Sequence, residues 1–282
     1  MSSRAHPTPP FSQPVVGRFK QFEFVTDKAA ESLQPNGTHK QAVLSFNGPA
    51  YQGLEASELS ADDLAFAQRR LRILCGLYGV LRPLDLIQAY RLEMGQKFAN
   101  ARGKDLYVFW GSKIAQELND SFEALSKHDA SLAESPKILV NVASQEYFKS
   151  IDVDSLDDDV QIVECVFKDD GKIKSVYAKR ARGLMCRYLI EKRITTIDGI
   201  KKFDLEGYKF SAKESDDSTF VYNRTAAKQK EVLKEIQAKA KAAKAAKREM
   251  SAEEDDDNKK QAPVEPEVEE KQTTRKRRRV RQ

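Results

Sequence analysis

The run Lys137-Ile-Leu-Val-Asn-Val-Ala143 is the strongest constraint in this chain. It is too short for an ordinary helix and almost continuously apolar, which predicts a strand buried on both faces. A strand of that kind needs helices packed against its sheet, so the expected class is mixed α/β. The run continues into Ser144-Gln-Glu-Tyr-Phe-Lys149, read as a strand end passing into a helix capped by Ser144. Ligands favour such strand ends in α/β sheets. Ser144, Glu146 and Lys149 offer a nucleophile, an acid and a base, and Ser144–Lys149 is where an enzyme reading is strongest. Against it stand the lack of a nearby histidine and of a GxSxG elbow. The alternative is a helix cap beside a surface lysine.

A second constraint is the stretch Leu71 to Gly95, which concentrates glycines, arginines and aromatics. Ser60-Ala-Asp-Asp63 has the form of a capping box. Leu64, Ala67, Leu71, Leu74 and Cys75 follow at helical steps, so the helix is expected to run to Gly76. Gly76 and Gly79 suit a helix stop and a tight turn, and Pro83 suits the first turn of a second helix. The expected product is a helix-hairpin-helix-like element whose glycine amides face a phosphate, with Arg82 and Arg91 as cationic partners. The competing reading is a glycine-terminated helix with these arginines paired to Asp85 and Glu93.

Elsewhere the reading is coarser. Phe19 to Val25 alternates as a strand, and Ala42-Val-Leu-Ser-Phe46 reads as a buried strand entering the turn Asn47-Gly48-Pro49. Tyr51 either stacks on a base or packs. Leu106 to Leu118 is helical with Gly111 interrupting it, and Trp110 is read as core. Val160 to Phe167 alternates as a strand, Asp169-Asp-Gly171 reads as a hairpin turn and Lys172 to Tyr177 as the return strand. From Ala178 to Glu191 an apolar stripe of Leu184, Met185, Tyr188 and Leu189 accompanies Lys179, Arg180, Arg182 and Arg187. Cations at a helix start oppose its dipole, and a bound polyanion would offset that; a solvated face is the bland alternative. Asp204 to Tyr222 reads as a mixed, strand-like end of the folded part.

Charge totals mislead here. A net charge of +5 arises from 48 basic and 43 acidic residues, and 32% of the chain is charged, too much for a wholly globular protein. Residues 1 to 18 are Pro/Ser/Thr-rich and are expected to be disordered. From about residue 224 the composition shifts to a charged tail, with a solvent helix over 226–250 and a basic cluster at 275–281. That cluster reads as a nuclear address or a nonspecific polyanion-binding tail. Cys75, Cys165 and Cys186 are few and far apart, which argues against a disulfide framework and for a reducing, intracellular compartment. The three histidines lie in polar surroundings, so neither a metal site nor a cofactor is expected. No apolar run approaches a membrane span.

Taken in order, several blocks resemble one known family. They are Leu44-Ser-Phe-Asn-Gly with Tyr51-Gln-Gly-Leu54, Gly76-Leu-Tyr-Gly-Val-Leu-Arg-Pro-Leu-Asp-Leu86, Tyr90-Arg-Leu-Glu-Met-Gly95, Arg102-Gly-Lys-Asp-Leu-Tyr107 with Phe109-Trp-Gly111, Asn141-Val-Ala-Ser-Gln-Glu-Tyr-Phe-Lys149, and Tyr177-Ala-Lys-Arg-Ala-Arg-Gly-Leu-Met185. Together they resemble the peroxide-stress protein YaaA family. The resemblance implies a single mixed α/β domain over residues 19–223 with a basic cleft and a helix-hairpin-helix-like element. It also implies DNA binding, weakly sequence-selective and to the duplex, and a role in limiting free iron and oxidative damage, with no established reaction. Carried onto this sequence, the nucleic-acid site falls on Gly76, Gly79, Arg82, Arg91, Lys149, Lys179, Arg180, Arg182 and Arg187. The expected location is cytoplasmic, with the nucleus as the alternative through 275–281. Two departures stand out: residues 1–41 lack the family's opening apolar strand and Ser-Pro-Ala-Lys, leaving a sheet position and a cleft lysine unfilled, and the charged C-terminus is an extension. The rival function is an enzyme or small-ligand protein that holds a phosphorylated metabolite at Ser144–Lys149.

Overall fold

The computed structural model describes residues 39–128, 135–238 and 241–242. Two units are distinguished, 1–229 and 230–282. The first begins with β1 (Lys40–Gln41), α1 (Ala42–Ser45), α2 (Pro49–Leu54) and α3 (Ala61–Arg70), followed by β2 (Ile73–Cys75), β3 (Gly79–Leu81) and β4 (Leu86–Ile87). Next come α4 (Leu106–Trp110), α5 (Lys113–His128), β5 (Lys137–Asn141), α6 (Gln145–Phe148) and β6 (Val160–Asp169). It closes with α7 (Ser175–Glu191), α8 (Ile197–Lys201), β7 (Lys209–Phe210) and β8 (Thr219–Arg224). In the second unit, residues 230–238 and 241–242 are helical. Residues 226–229, at the end of the first unit, are helical as well; 239–240 and 243–250 of the expected 226–250 helix, the basic cluster at 275–281, residues 1–18 and the Phe19–Val25 strand lie outside the described residues.

The main sheet has the order β5-β6-β8-β7, parallel between β5, β6 and β8 and antiparallel at β7. Its central strand alternates as its sequence predicts, with Val163, Cys165, Phe167 and Asp169 buried on one face. That face meets Ala178, Ala181, Met185 and Tyr188 of α7 and an aromatic group in which Phe167 stacks on Tyr222 at 5.4 Å. At the end of the sheet, the Arg224 Nε donates to Asp169 Oδ1 at 2.7 Å and the Tyr208 hydroxyl donates to Asp169 Oδ2 at 2.9 Å. Both charges are almost wholly enclosed. Two smaller cores complete the unit, one under α1–α3 and the other around Met94, Leu106, Ile114 and Leu118.

β5 is a parallel strand as expected, but Lys137 to Val140 are half-buried and only Asn141 is buried. β6 takes one of its edges, and among the described residues no strand takes the other.

Three sequence expectations are corrected. The helix-hairpin-helix-like element is absent: α3 stops at Arg70, and β2 and β3 form an antiparallel hairpin paired from Ile73↔Leu81 to Cys75↔Gly79. The periodicity through Leu71, Leu74 and Cys75 misleads because burial switches to alternation, with Ile73 and Cys75 inward. Gly79, at φ +74°, sits against Trp110, whose indole N–H donates to the Gly76 carbonyl at 3.1 Å. The supposed strand 42–46 is the turn of helix α1: the Ala42 and Val43 amides donate to the carbonyls of Asp85 and Pro83. A short apolar run does not distinguish the two outcomes. Finally, Lys172–Tyr177 is not a return strand. Only Asp169↔Lys172 pairs across the turn at Asp170 and Gly171, and α7 claims the chain from Ser175.

Other local readings hold. Ser60 and Asp63 form the reciprocal capping box, and Gly111 separates α4 from α5.

Candidate functional site

Two glycines bring the site together. An isolated glycine inside a helix costs stability, so its retention points to a close approach. Gly183 lies in the middle of α7, and a methyl group built on it would stand 1.7 Å from the carbonyl oxygen of Ala50 in α2. Across the same crossing, a methyl on Gly53 would meet the Arg180 carbonyl oxygen at 2.2 Å. The two backbones therefore touch. The crossing sets Tyr51, next to Ala50, and Arg182, next to Gly183, on one cavity.

That cavity, of about 360 Å³, lies at the carboxyl end of β5. Its polar lining is Asn141 and Ser144 from the strand end, Lys179 and Arg182 from α7, and Arg72, whose guanidinium donates to Ser121 and to the Gln68 and Leu71 carbonyls; its aromatic lining includes Phe46, Tyr51, Tyr90 and Tyr147. Asn141 is turned back on the chain, its Oδ1 accepting from the Ala143 amide at 3.0 Å, and Ser144 Oγ caps α6 by accepting from the Tyr147 amide. Phe46 stacks on Tyr51 at 5.1 Å, and Tyr90 shares a hydrogen bond with the Cys75 thiol at 2.6 Å. A second cavity, of about 320 Å³, follows the rest of β5 and shares Leu71, Arg72, Leu139, Val140 and Cys186 with the first.

Burial dominates the electrostatics. It holds the Arg182 guanidinium below its ordinary pKa, with the attraction of Glu164 the one opposing influence. Arg182 remains cationic at any working pH all the same. Cys186, on the same wall, has its thiol pushed up to about 12, and burial also raises the Tyr51 hydroxyl. These thiols and hydroxyls are therefore protonated at neutral pH, and the fixed charge facing the cavity is positive.

The nine residues expected to bind nucleic acid differ in what holds them. Gly76 and Gly79 build the β2–β3 hairpin. Arg82 pairs with Asp85 at 3.0 Å and Arg91 with Glu93 at 3.6 Å, as the competing reading of that stretch had it. Arg180 is held by Glu206 at 2.8 Å, and Arg187 by Glu191 at 2.8 Å and Glu55 at 3.2 Å. Lys149 lies over the Tyr107 ring. Only Lys179 and Arg182 line the cavity, and neither makes an ion pair among the described residues.

Ser144, Glu146 and Lys149 each have a separate partner. Ser144 faces the cavity, Glu146 accepts from the Gly95 amide at 2.8 Å, and Lys149 is on the Tyr107 ring. Among the described residues no three His, Cys, Asp or Glu side chains are grouped to hold a metal ion, and no helix is long and apolar enough to cross a membrane. Sequence reasoning missed Asn141 and Cys186 as cavity residues and Gly183 as the contact behind them. Gly183 alone carried a readable signal, as a glycine in the middle of a helical stripe.

The chain is 54% identical over 209 residues to UPF0246 proteins from Burkholderia mallei (strain SAVP1), Burkholderia pseudomallei (strain K96243) and Burkholderia thailandensis. Each alignment spans 73% of this chain and 76% of the relative. Residues 12–214 also match the model of a family described as peroxide stress protein YaaA. At that coverage and identity, the chain belongs to the peroxide stress protein YaaA family.

Proposed function

We propose that this chain serves in the peroxide stress response by holding a phosphate-bearing small ligand in the cleft at the carboxyl end of β5. One observation carries the reading: Lys179 and Arg182 are turned onto the cavity without an ion-pair partner, whereas Arg82, Arg91, Arg180 and Arg187 each have a carboxylate. A partly buried guanidinium with no directly paired carboxylate is costly, and a bound anion offsets that cost through charge-assisted hydrogen bonds. Lys179 adds a flexible point charge at the rim. On this reading, any limitation of free iron and oxidative damage is exerted through the bound ligand.

DNA binding through the cleft is the second reading, favoured by the exposure of Lys179 next to Arg182 at the start of α7. The two separate in one experiment. Ribose 5-phosphate is titrated calorimetrically into the full chain and into Arg182→Ala, and short duplex DNA is titrated across a salt series. The small-ligand reading expects binding weakened at least about tenfold by Arg182→Ala, consistent with one charge-assisted contact. The DNA reading expects a duplex affinity that falls steeply with salt and depends on Arg182. Ribose 5-phosphate binding indifferent to Arg182→Ala overturns the small-ligand reading.

A further inference from the structure

The cavity lining combines aromatic rings with cations, and that combination constrains the ligand more tightly than the cations alone. The α2–α7 crossing at Gly53 and Gly183 places Tyr51 and the Lys179–Arg182 pair on one partly open cavity. At about 360 Å³ the cavity is near the lower end of small-molecule sites, which suits a compact ligand and not a duplex segment. A phosphosugar engages the cations and leaves the aromatic rings without a partner. A planar ring on the same ligand engages them too.

Two details favour a planar ring and a third favours an anion. Tyr51 and Phe46 are nearly parallel, with 25° between their planes, so together they form a flat stack at the cavity wall. Tyr90 meets Phe46 edge-on at 6.2 Å and fixes its orientation, while its own hydroxyl is tied to Cys75. No carboxylate contributes to the lining, so nothing at the site repels a phosphate.

We infer that the cleft binds a mononucleotide, its base against the Phe46–Tyr51 stack and its phosphate at Lys179 and Arg182. This inference rests on the phosphate-ligand reading above and narrows it to one ligand class. Aromatic stacking tolerates any base, so selectivity among the four bases is weak and the ring itself supplies the affinity.

The test compares adenosine 5′-monophosphate with ribose 5-phosphate on the full chain by isothermal titration, and repeats both on Tyr51→Leu and Arg182→Ala. The expected result is that the nucleotide binds at least about tenfold more tightly than the phosphosugar, the range that one stacked base confers. Tyr51→Leu removes most of that difference, and Arg182→Ala weakens both ligands together. Equal affinity of the two ligands for the unaltered chain overturns the nucleotide inference while leaving the phosphate reading standing. Failure of both ligands to bind, or indifference of both to Arg182→Ala, overturns the phosphate reading and the inference with it. Tyr51→Phe keeps the ring and is expected to bind the nucleotide as the unaltered chain does, so a Tyr51→Leu protein that melts early does not blunt the test. If duplex DNA displaces the nucleotide, the same base-and-phosphate chemistry is being presented by a strand, and the free-nucleotide inference fails.

Discussion

Replacing Gly183 with alanine sets two effects of opposite sign against each other. In an exposed helix the change would stabilise, because glycine costs about 1 kcal/mol relative to alanine in a helix interior. Here the added methyl stands 1.7 Å from the Ala50 carbonyl oxygen, 2.7 Å from the Ala50 carbonyl carbon and 2.8 Å from the Leu54 nitrogen. All three are backbone atoms, so no rotamer change relieves the overlap and α2 must withdraw from α7 by roughly 1.5 Å to restore van der Waals contact. Overpacking of this kind typically costs 1–3 kcal/mol, and a fixed backbone obstacle belongs at or beyond the upper end. The net effect is a destabilisation of about 2 kcal/mol, or a melting temperature lower by about 4–8 °C. Thermal unfolding followed by circular dichroism reads it directly. Gly48→Ala is the comparison, since nothing lies within 4 Å of a methyl group there. A Gly183→Ala protein that melts with or above the parent refutes the account of a backbone-to-backbone crossing.

Arg224→Met strands Asp169 in the sheet without its cation, and breaking a buried pair costs about 3–5 kcal/mol. Its melting temperature should fall by at least about 6 °C, with most of the loss recovered in Arg224→Met/Asp169→Leu. Ser60→Ala removes the acceptor for the Asp63 amide, which should cost about 1 kcal/mol and show as a melting temperature about 2–4 °C lower. The carboxyls of Asp63, Glu214 and Asp216 are held below their ordinary range, by hydrogen bonds from Ser60 and Arg193, from Lys168 and Asn223, and from the Ser218 and Thr219 amides respectively. Depressed folded values mean that their contribution is complete above the unfolded pKa of about 4 and is lost as pH falls through the lower folded values. Urea midpoints should therefore drop on acidification below about pH 4, and Asp216→Asn should flatten that limb.

Legibility followed the range of the forces involved. The capping box at Ser60, the helix break at Gly111 and the Ser144 cap were readable because donor and acceptor lie within a few residues of each other. The alternation of β6 was readable because its buried face follows the period of two. The 71–81 stretch was misread because Trp110, which closes the hairpin through the Gly76 carbonyl, lies 34 positions from it. Cationic segments were visible as charge, yet which cations are neutralised depends on distant partners. Arg180 meets Glu206, and Arg187 meets Glu55 132 positions away. Lys179 and Arg182 differ from their neighbours only in the direction each takes around α7, and that direction is set by the α2 contact.

The salt bridge between Asp169 and Arg224 also bears on when the sheet can be completed during synthesis. β6 gains its second neighbour only when β8 arrives, and the two charges are 55 positions apart. Throughout that interval a nascent chain carries a carboxylate whose native position is wholly enclosed and whose counter-ion has not been made. The sheet can close only after Arg224 has been translated, whereas every residue of the α2–α7 crossing precedes β8 in the chain. A chain ending before β8 keeps every residue that lines the cavity but lacks the strand that pairs with β6.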